Sequence, residues 1–280
     1  MDNYQLTQDQ ITAYGVCLRT EEHTPSTIEK YLRDTRAFAV WLEGRPVTRE
    51  LAAEWRDRLL SSGHKPSTVN SMLAAVNGLF RFLGWGIRVK FLKVQRRLFR
   101  DQSRELTRGE YDLLVNTARA AGKERLALLM EAVCATGVRV SEVKYLTVEA
   151  AQCGRAEIAL KGKIRMILLP NKLCRKLLKY ARKQKIASGE IFLTRSGRSL
   201  SRRQIRAEMK QLCKATGVAS EKVYPHNLRH LFARTFYQAC KDIARLADVL
   251  GHSSIETTRI YLVTTGAEQV RQLDRLGLVS

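Results

Sequence analysis

The stretch Leu250-Gly251-His252-Ser253-Ser254-Ile255-Glu256-Thr257-Thr258-Arg259-Ile260-Tyr261 sets a histidine, a helix start and a tyrosine in a fixed order. Ser253 and Glu256 read as a capping box, the hydroxyl accepting from a free N–H of the first turn while the carboxylate reaches back. His252 then lies just before a helix, and Tyr261 about two turns into it. A lone tyrosine at such a place is far more often core or surface than reactive. Its meaning depends on what else the chain carries.

Upstream, Pro225-His226-Asn227-Leu228-Arg229-His230 puts His226 and Arg229 three residues apart, on one face of a helix. That face combines a proton-transfer group with a planar cation suited to phosphate oxygens. Further upstream, Ala135-Thr136-Gly137-Val138-Arg139-Val140-Ser141-Glu142 places Arg139 just after a helix-ending glycine, with Glu142 nearby. Between these lie Arg155 to Ala159 and Ile164 to Leu169, which read as short strands around Lys161-Gly162-Lys163, a basic hairpin. Each stretch alone has an ordinary explanation: a surface arginine, solvent-facing lysines, a satisfied structural histidine.

Taken together they match a chemical need. Attack on a phosphodiester requires a nucleophile, cations on the non-bridging oxygens, a proton donor for the leaving oxygen and a proton acceptor. Tyr261 can be the nucleophile, but a phenol with a reference pKa of ~10 needs cationic surroundings. Arg139 and Arg229 can clamp the oxygens through bidentate contacts. No DxD-like acidic cluster suggests a metal, and no Gly-rich loop ending in GK[ST] suggests ATP, so no metal and no cofactor are expected.

The rest of the chain is mainly helical. Thr24-Pro25-Ser26-Thr27 and Lys65-Pro66-Ser67-Thr68 each open a helix, closed at Gly44 and Gly84 respectively, and Thr48 to Leu60 gives a third between them. Proline at a helix start costs little because its missing N–H had no partner there, and glycine tolerates the left-handed turn at the end. Thr107 and Glu110 resemble a capping box for a helix reaching about Ala121, and a second helix covers Glu124 to Thr136. After the hairpin the pattern is helical almost to the end, interrupted by a short turn near Ile191-Phe192-Leu193.

Charge narrows the partner. The 280 residues carry 49 Lys+Arg against 27 Asp+Glu, a formal +22, which creates a field that attracts polyanions. One basic run, Arg88, Lys90, Lys93, Arg96, Arg97, Arg100 and Arg104, holds a single acid, Asp101, and reads as a linker laid along a phosphate backbone. A second, 172–214, includes Arg202 and Arg203 and has fourteen Lys/Arg against Glu190 and Glu208. Lipid is the weakest candidate, since nothing approaches the ~20 apolar residues of a membrane span. The N-terminus has no apolar signal core, and the six scattered cysteines lack CxxC spacing, so a cytoplasmic protein with reduced thiols is expected.

The ordered set Arg139-x-x-Glu142, hairpin lysine, His226-x-x-Arg229-His230, Leu250-Gly251-His252 and Tyr261 resembles the tyrosine recombinase (phage integrase) family from about 104 to 261. The first ~85 residues look like that family's helical core-site-binding domain. The resemblance implies a mainly α fold with a small β-sheet: a SAM-like helical bundle at 1–87, a basic linker at 88–104, and a mixed α/β catalytic domain at 105–280. Tyr261 would form a 3′-phosphotyrosyl bond, Arg139 and Arg229 would stabilise the pentacoordinate phosphate, and Lys161 would protonate the 5′-oxygen. His226 would help move the tyrosine proton, His252 would hydrogen-bond the phosphate, and Glu142 would position its neighbours. The family reads Gly-Lys-Gly-x-Lys at the hairpin, one residue longer than Leu160-Lys161-Gly162-Lys163, so Lys163 stands as the alternative acid.

The resemblance also implies two domains closing round duplex DNA, with Arg88, Lys90, Lys93, Arg96, Arg97, Arg100, Arg202 and Arg203 on the phosphates. It implies a homotetramer on two DNA sites, an accessory directionality factor, and a tail at about 262–280 that docks in cis or in trans. The expected activity is site-specific recombination, with integration or excision of a mobile genetic element favoured over chromosome dimer resolution. A type IB topoisomerase-like enzyme and a catalytically idle DNA-binding regulator are the alternatives.

Overall fold

The computed structural model describes residues 4–94, 102–160, 163–261, 270–271 and 274–276, with backbone alone at 102, 160 and 163. Contacts divide the chain into two units, Met1–Arg96 and Arg97–Ser280. Among the described residues the structure is mainly helical with one small sheet, as expected.

The first unit holds α1 (Gln8–Thr20), α2 (Pro25–Leu42), α3 (Arg49–Ser61) and α4 (Pro66–Phe82). Helices α2 and α4 start at the two prolines, and Thr48 caps α3 by accepting from the Leu51 N–H. The sequence reading did not single out α1, although Thr7 and Gln10 make a full capping box before Ile11, Tyr14 and Leu18, which are buried at helical spacing. Phe38 fills the centre, edge-on to Trp55 at 5.0 Å and to Phe80 at 5.7 Å.

The expected linker at 88–104 begins inside this packing. Ile87 and Val89 are buried in the first unit's core. The Asn77 amide brackets Val89, donating to its carbonyl and accepting from its N–H, both at 2.9 Å. Asn70 brackets Leu92 in the same way at 2.9 and 2.8 Å. The division between units falls at Arg96/Arg97.

The second unit is built around α6 (Glu124–Thr136), which buries residues on most of its circumference, Leu126 to Met130 consecutively. A helix that is apolar nearly all round belongs in the middle. Packed on it are α5 (Arg108–Ala120), α8 (Asn171–Lys183), α9 (Arg202–Lys210) and α11 (Pro225–Cys240). A 3₁₀ turn (Val140–Tyr145) and α7 (Val148–Cys153) lead into β1 (Arg155–Leu160), which pairs antiparallel with β2 (Lys163–Leu168). Ala156, Ile158 and Ile167 face the core, and Arg165 stands opposite Ile158 in the register.

Beyond α8 the chain departs from the helical expectation. No helix forms between Lys183 and Arg202; residues there make isolated bridges, Thr147 with Glu190 and Leu193 with Ser199. Ile191 and Phe192 drop into the core, and turns at Gly189 and Gly197 take left-handed φ of 76° and 74°. Short α10 (Cys213–Thr216) precedes α11, followed by α12 (Ile243–Leu250) and α13 (Ile255–Arg259). Two details of the opening stretch are corrected. The cap of α13 is Ser254, which accepts from the Glu256 N–H, and Tyr261 lies just past the helix end rather than two turns inside it. Among the described residues no helix is long and apolar enough to cross a membrane.

Candidate active site

Two helix ends and one helix start bring the motifs together. Helix α6 stops at Gly137 in the left-handed conformation, φ 66°, directly before Val138 and Arg139. A side chain there would run into the Phe232 ring on α11, so glycine serves both the turn and the close approach. Helix α12 stops at Gly251, φ 63°, which delivers His252. Helix α11 opens with Pro225, and its second turn carries Arg229.

Arg229 is the hub. Only 2 % exposed, it donates through Nη1 to the Gly137 carbonyl and through Nη2 to the Leu250 carbonyl at 2.8 Å, and Nη2 also meets His252 Nε2 at 2.9 Å. Burial pulls its pKa down from the ordinary arginine value, while the Tyr261 hydroxyl works the other way. A guanidinium can only donate, so His252 Nε2 accepts and Nδ1 carries the proton. Nδ1 then donates to Thr258 Oγ1 at 2.9 Å. Burial, followed by the charges of Arg229 and Arg139, pushes His252 down to about 4, which keeps this tautomer neutral near pH 7.

The second cation is tied to a carboxylate. Glu142 is 1 % exposed. It accepts from the Arg139 N–H at 2.8 Å, from Arg139 Nη1 at 2.9 Å and from Arg165 Nη2 at 2.5 Å. Burial works to raise its pKa, but the Arg139 N–H, the Arg165 charge and the Arg139 guanidinium outweigh it and hold the carboxyl below its usual range. Arg139 remains 38 % exposed and also reaches the Gly251 carbonyl at 3.3 Å.

Tyr261, 5 % exposed, packs edge-to-face on His230 at 4.5 Å and lies parallel to His252 at 5.9 Å. His230 in turn meets His226 edge-on at 4.6 Å, one turn earlier on α11. Burial, then His226 and Arg229, pushes His230 to about 4. His226 keeps an exposed edge, but desolvation of its ring, followed by the charges of Arg229 and Arg139, lowers its pKa too. At neutral pH the phenol is therefore enclosed by neutral imidazoles beside fixed guanidinium charge.

Arg139, Glu142, His226, Arg229, His252 and Tyr261 thus converge on one site, whereas Lys161 lies outside the described residues. Arg88, Lys90 and Lys93 are exposed on the first unit. Arg202 and Arg203 are exposed in the first turn of α9. Arg96, Arg97 and Arg100 lie outside the described residues.

The sequence reading missed Arg165 and Thr258, and it gave His230, the last residue of the His226-x-x-Arg229-His230 motif, no role of its own. Strand alternation held the signal for Arg165, which shares the parity of core-facing Ile167, and helix spacing held that for His230, four residues after His226. Helix α11 is also tied to the start of its unit. Asn227 donates to the Arg104 and Lys222 carbonyls at 2.7 Å, and Arg234 pairs with Glu105 and donates to the Leu106 carbonyl. Among the described residues no group of three His, Cys, Asp or Glu could hold a metal ion.

Residues 104–267 match the phage integrase family, and 11–86 match the phage integrase N-terminal SAM-like domain. The chain is 31% identical over 282 residues to tyrosine recombinase XerC of Roseiflexus castenholzii, covering 90% of this chain and 88% of that one. It is 31% identical over 266 residues to tyrosine recombinase XerD of Brucella suis, covering 84% and 86%. Among solved structures it resembles a lambda integrase tetramer bound to a Holliday junction, with a TM-score of 0.74 at 19% identity over 93% of this chain and 78% of the other. It also resembles the XerH site-specific recombinase bound to difH substrate, with a TM-score of 0.62 at 22% identity over 77% and 67%. With a family match over more than half its length and relatives aligned nearly end to end, this chain belongs to the phage integrase family and is a tyrosine recombinase.

Proposed function

We propose that this recombinase cleaves and rejoins duplex DNA through a 3′-phosphotyrosyl bond to Tyr261. The Tyr261 oxygen attacks phosphorus and the bond to the 5′-oxygen breaks. The leaving oxygen takes its proton from Lys161, and the phenol proton passes toward His226. Arg139 and Arg229 hold the non-bridging oxygens as charge builds on them. His252 adds a hydrogen bond, and Glu142 fixes Arg139. The observation that carries the reading is the packing of Tyr261 against His252, whose ring nitrogen meets the Arg229 guanidinium anchored on Gly137.

DNA is held in this reading by phosphate contacts from Arg88, Lys90, Lys93, Arg202 and Arg203 among others, and binding weakens steeply with salt. The active assembly is a homotetramer on two DNA sites, and the DNA acted on belongs to a mobile genetic element, as the +22 charge favours. A nicked suicide substrate should trap a covalent protein–DNA adduct, and Tyr261→Phe should abolish the adduct while still binding DNA. An adduct of undiminished yield from the Phe variant refutes the assignment.

A further inference from the structure

Arg165 is a charged side chain on the core-facing side of a two-stranded hairpin, where its neighbours Ile158 and Ile167 are buried. Its side chain is 15 % exposed. Nη2 donates to Glu142 Oε2 at 2.5 Å, and Nη1 reaches the Val249 carbonyl at 3.3 Å. Its Nε is buried without a hydrogen-bond partner. The stem and fork lie against Gly251, where an added Cβ would overlap Cδ and come within 2.6 Å of Nη1. Such close apposition fixes the guanidinium against the end of α12.

These contacts join three parts of the site through one planar fork. Glu142 divides its oxygens between two arginines, Oε1 with Arg139 and Oε2 with Arg165. Val249 and Gly251 lead directly into His252. Arg165 itself sits on β2, which begins at Lys163, so the hairpin lysines lie only two and four residues away along the chain. A two-stranded ribbon is stable only when packed on something else, and Arg165 provides polar contacts in that packing. A lysine could reach one of these acceptors but could not reproduce the rigid fork.

We propose that Arg165 is a positioning residue for strand cleavage, one that ties β2 to the Arg139–Glu142 and Gly251–His252 segments. This rests on the reading of a hairpin lysine as the general acid. A displacement of about 1 Å in a catalytic group costs on the order of 100-fold in rate. The expected loss for Arg165→Gln is therefore ten- to a hundred-fold.

The test compares single-turnover cleavage of an ordinary suicide substrate with that of the same DNA carrying a 5′-phosphorothiolate, whose thiolate leaves without an acid. Arg165→Gln and Arg165→Lys should lose at least tenfold on the ordinary substrate and less than threefold on the phosphorothiolate, with DNA affinity within threefold of the parent. Arg165→Lys keeps charge and most of the volume, so the comparison stands even if Arg165→Gln does not fold. Met166→Ala, on the exposed side of the same strand, should cleave both substrates at the parental rate. A deficit of equal size on both substrates, or none, overturns the proposal. Lys161→Ala and Lys163→Ala separate the two failures. If a lysine variant is rescued and the Arg165 variants are not, the positioning role alone is wrong. If neither lysine variant is rescued, the acid reading fails and the proposal falls with it.

Discussion

Replacing Glu142 by glutamine should destabilise the second unit by an amount that the geometry sets. The carboxylate receives three N–H groups, two of them from guanidiniums, and it is 1 % exposed. An amide offers one oxygen and one NH2, so in either orientation an N–H faces an N–H, and two arginines lose their counter-charge. Removing one partner of a buried ion pair costs about 3–5 kcal/mol. Arg139 is 38 % exposed and can turn to water, whereas Arg165 at 15 % cannot, so about 3 kcal/mol is the working figure. In a unit of this size 1 kcal/mol shifts the melting temperature by about 2–4 °C, giving a drop of roughly 6–12 °C.

The pH dependence supplies an independent sign. The Glu142 carboxyl titrates below its unfolded value of 4.5. Its stabilisation is therefore complete above that value and is lost as pH falls through the lower folded value. The gap between parent and Glu142→Gln should narrow when melts at pH 7 are repeated below pH 4.5. Far-UV circular dichroism melts suffice for both readings. A variant melting within 2 °C of the parent at pH 7, or a gap unchanged in acid, refutes the reasoning.

Three further outcomes are expected. His230 titrates at about 4 in the folded state against 6.5 when unfolded, so its contribution is present above pH 6.5 and fades as pH falls toward 4. The loss is about 3 kcal/mol, and His230→Phe should flatten the acid side of a urea-midpoint profile, a parental slope counting against it. Gly137→Ala meets both a left-handed φ of 66° and the Phe232 ring, and should lower the melting temperature while weakening the Arg229 anchor and cleavage with it; parental melting and cleavage would contradict this. Asn77→Ala leaves the Val89 N–H and carbonyl unpaired inside the first unit, a cost of about 2–4 kcal/mol. Amide exchange at Val89 should rise sharply, and unchanged protection would remove the bracket from the account.

Much of the protein follows from rules that act over a few residues. Proline starts at Pro25 and Pro66, the Thr107–Glu110 capping box and the alternating hairpin are local events, and the structure places them where the sequence reading expected. The proposed reactive set was legible because Arg139, Arg229, His252 and Tyr261 have residue types that suit phosphate chemistry whatever the fold. A one-residue shift of the α13 cap from Ser253 to Ser254 shows the limit, since two adjacent serines offer the same capping hydroxyl.

Other features had no local signature. Residues 184–201 do carry local breakers, Gly189 and Gly197 among them, but the burial of Ile191 and Phe192 between those turns is set by the core they enter. The return of 88–94 onto the first unit depends on two asparagines many residues earlier. Within the site, the sequence determined which chemical groups were present, through side chains whose properties travel with them. Tertiary structure alone decided that Arg165 shares a carboxylate with Arg139 and that His230 rests on Tyr261. Those contacts join positions far apart in the chain, and their strength comes from exclusion of water, which only the folded chain provides.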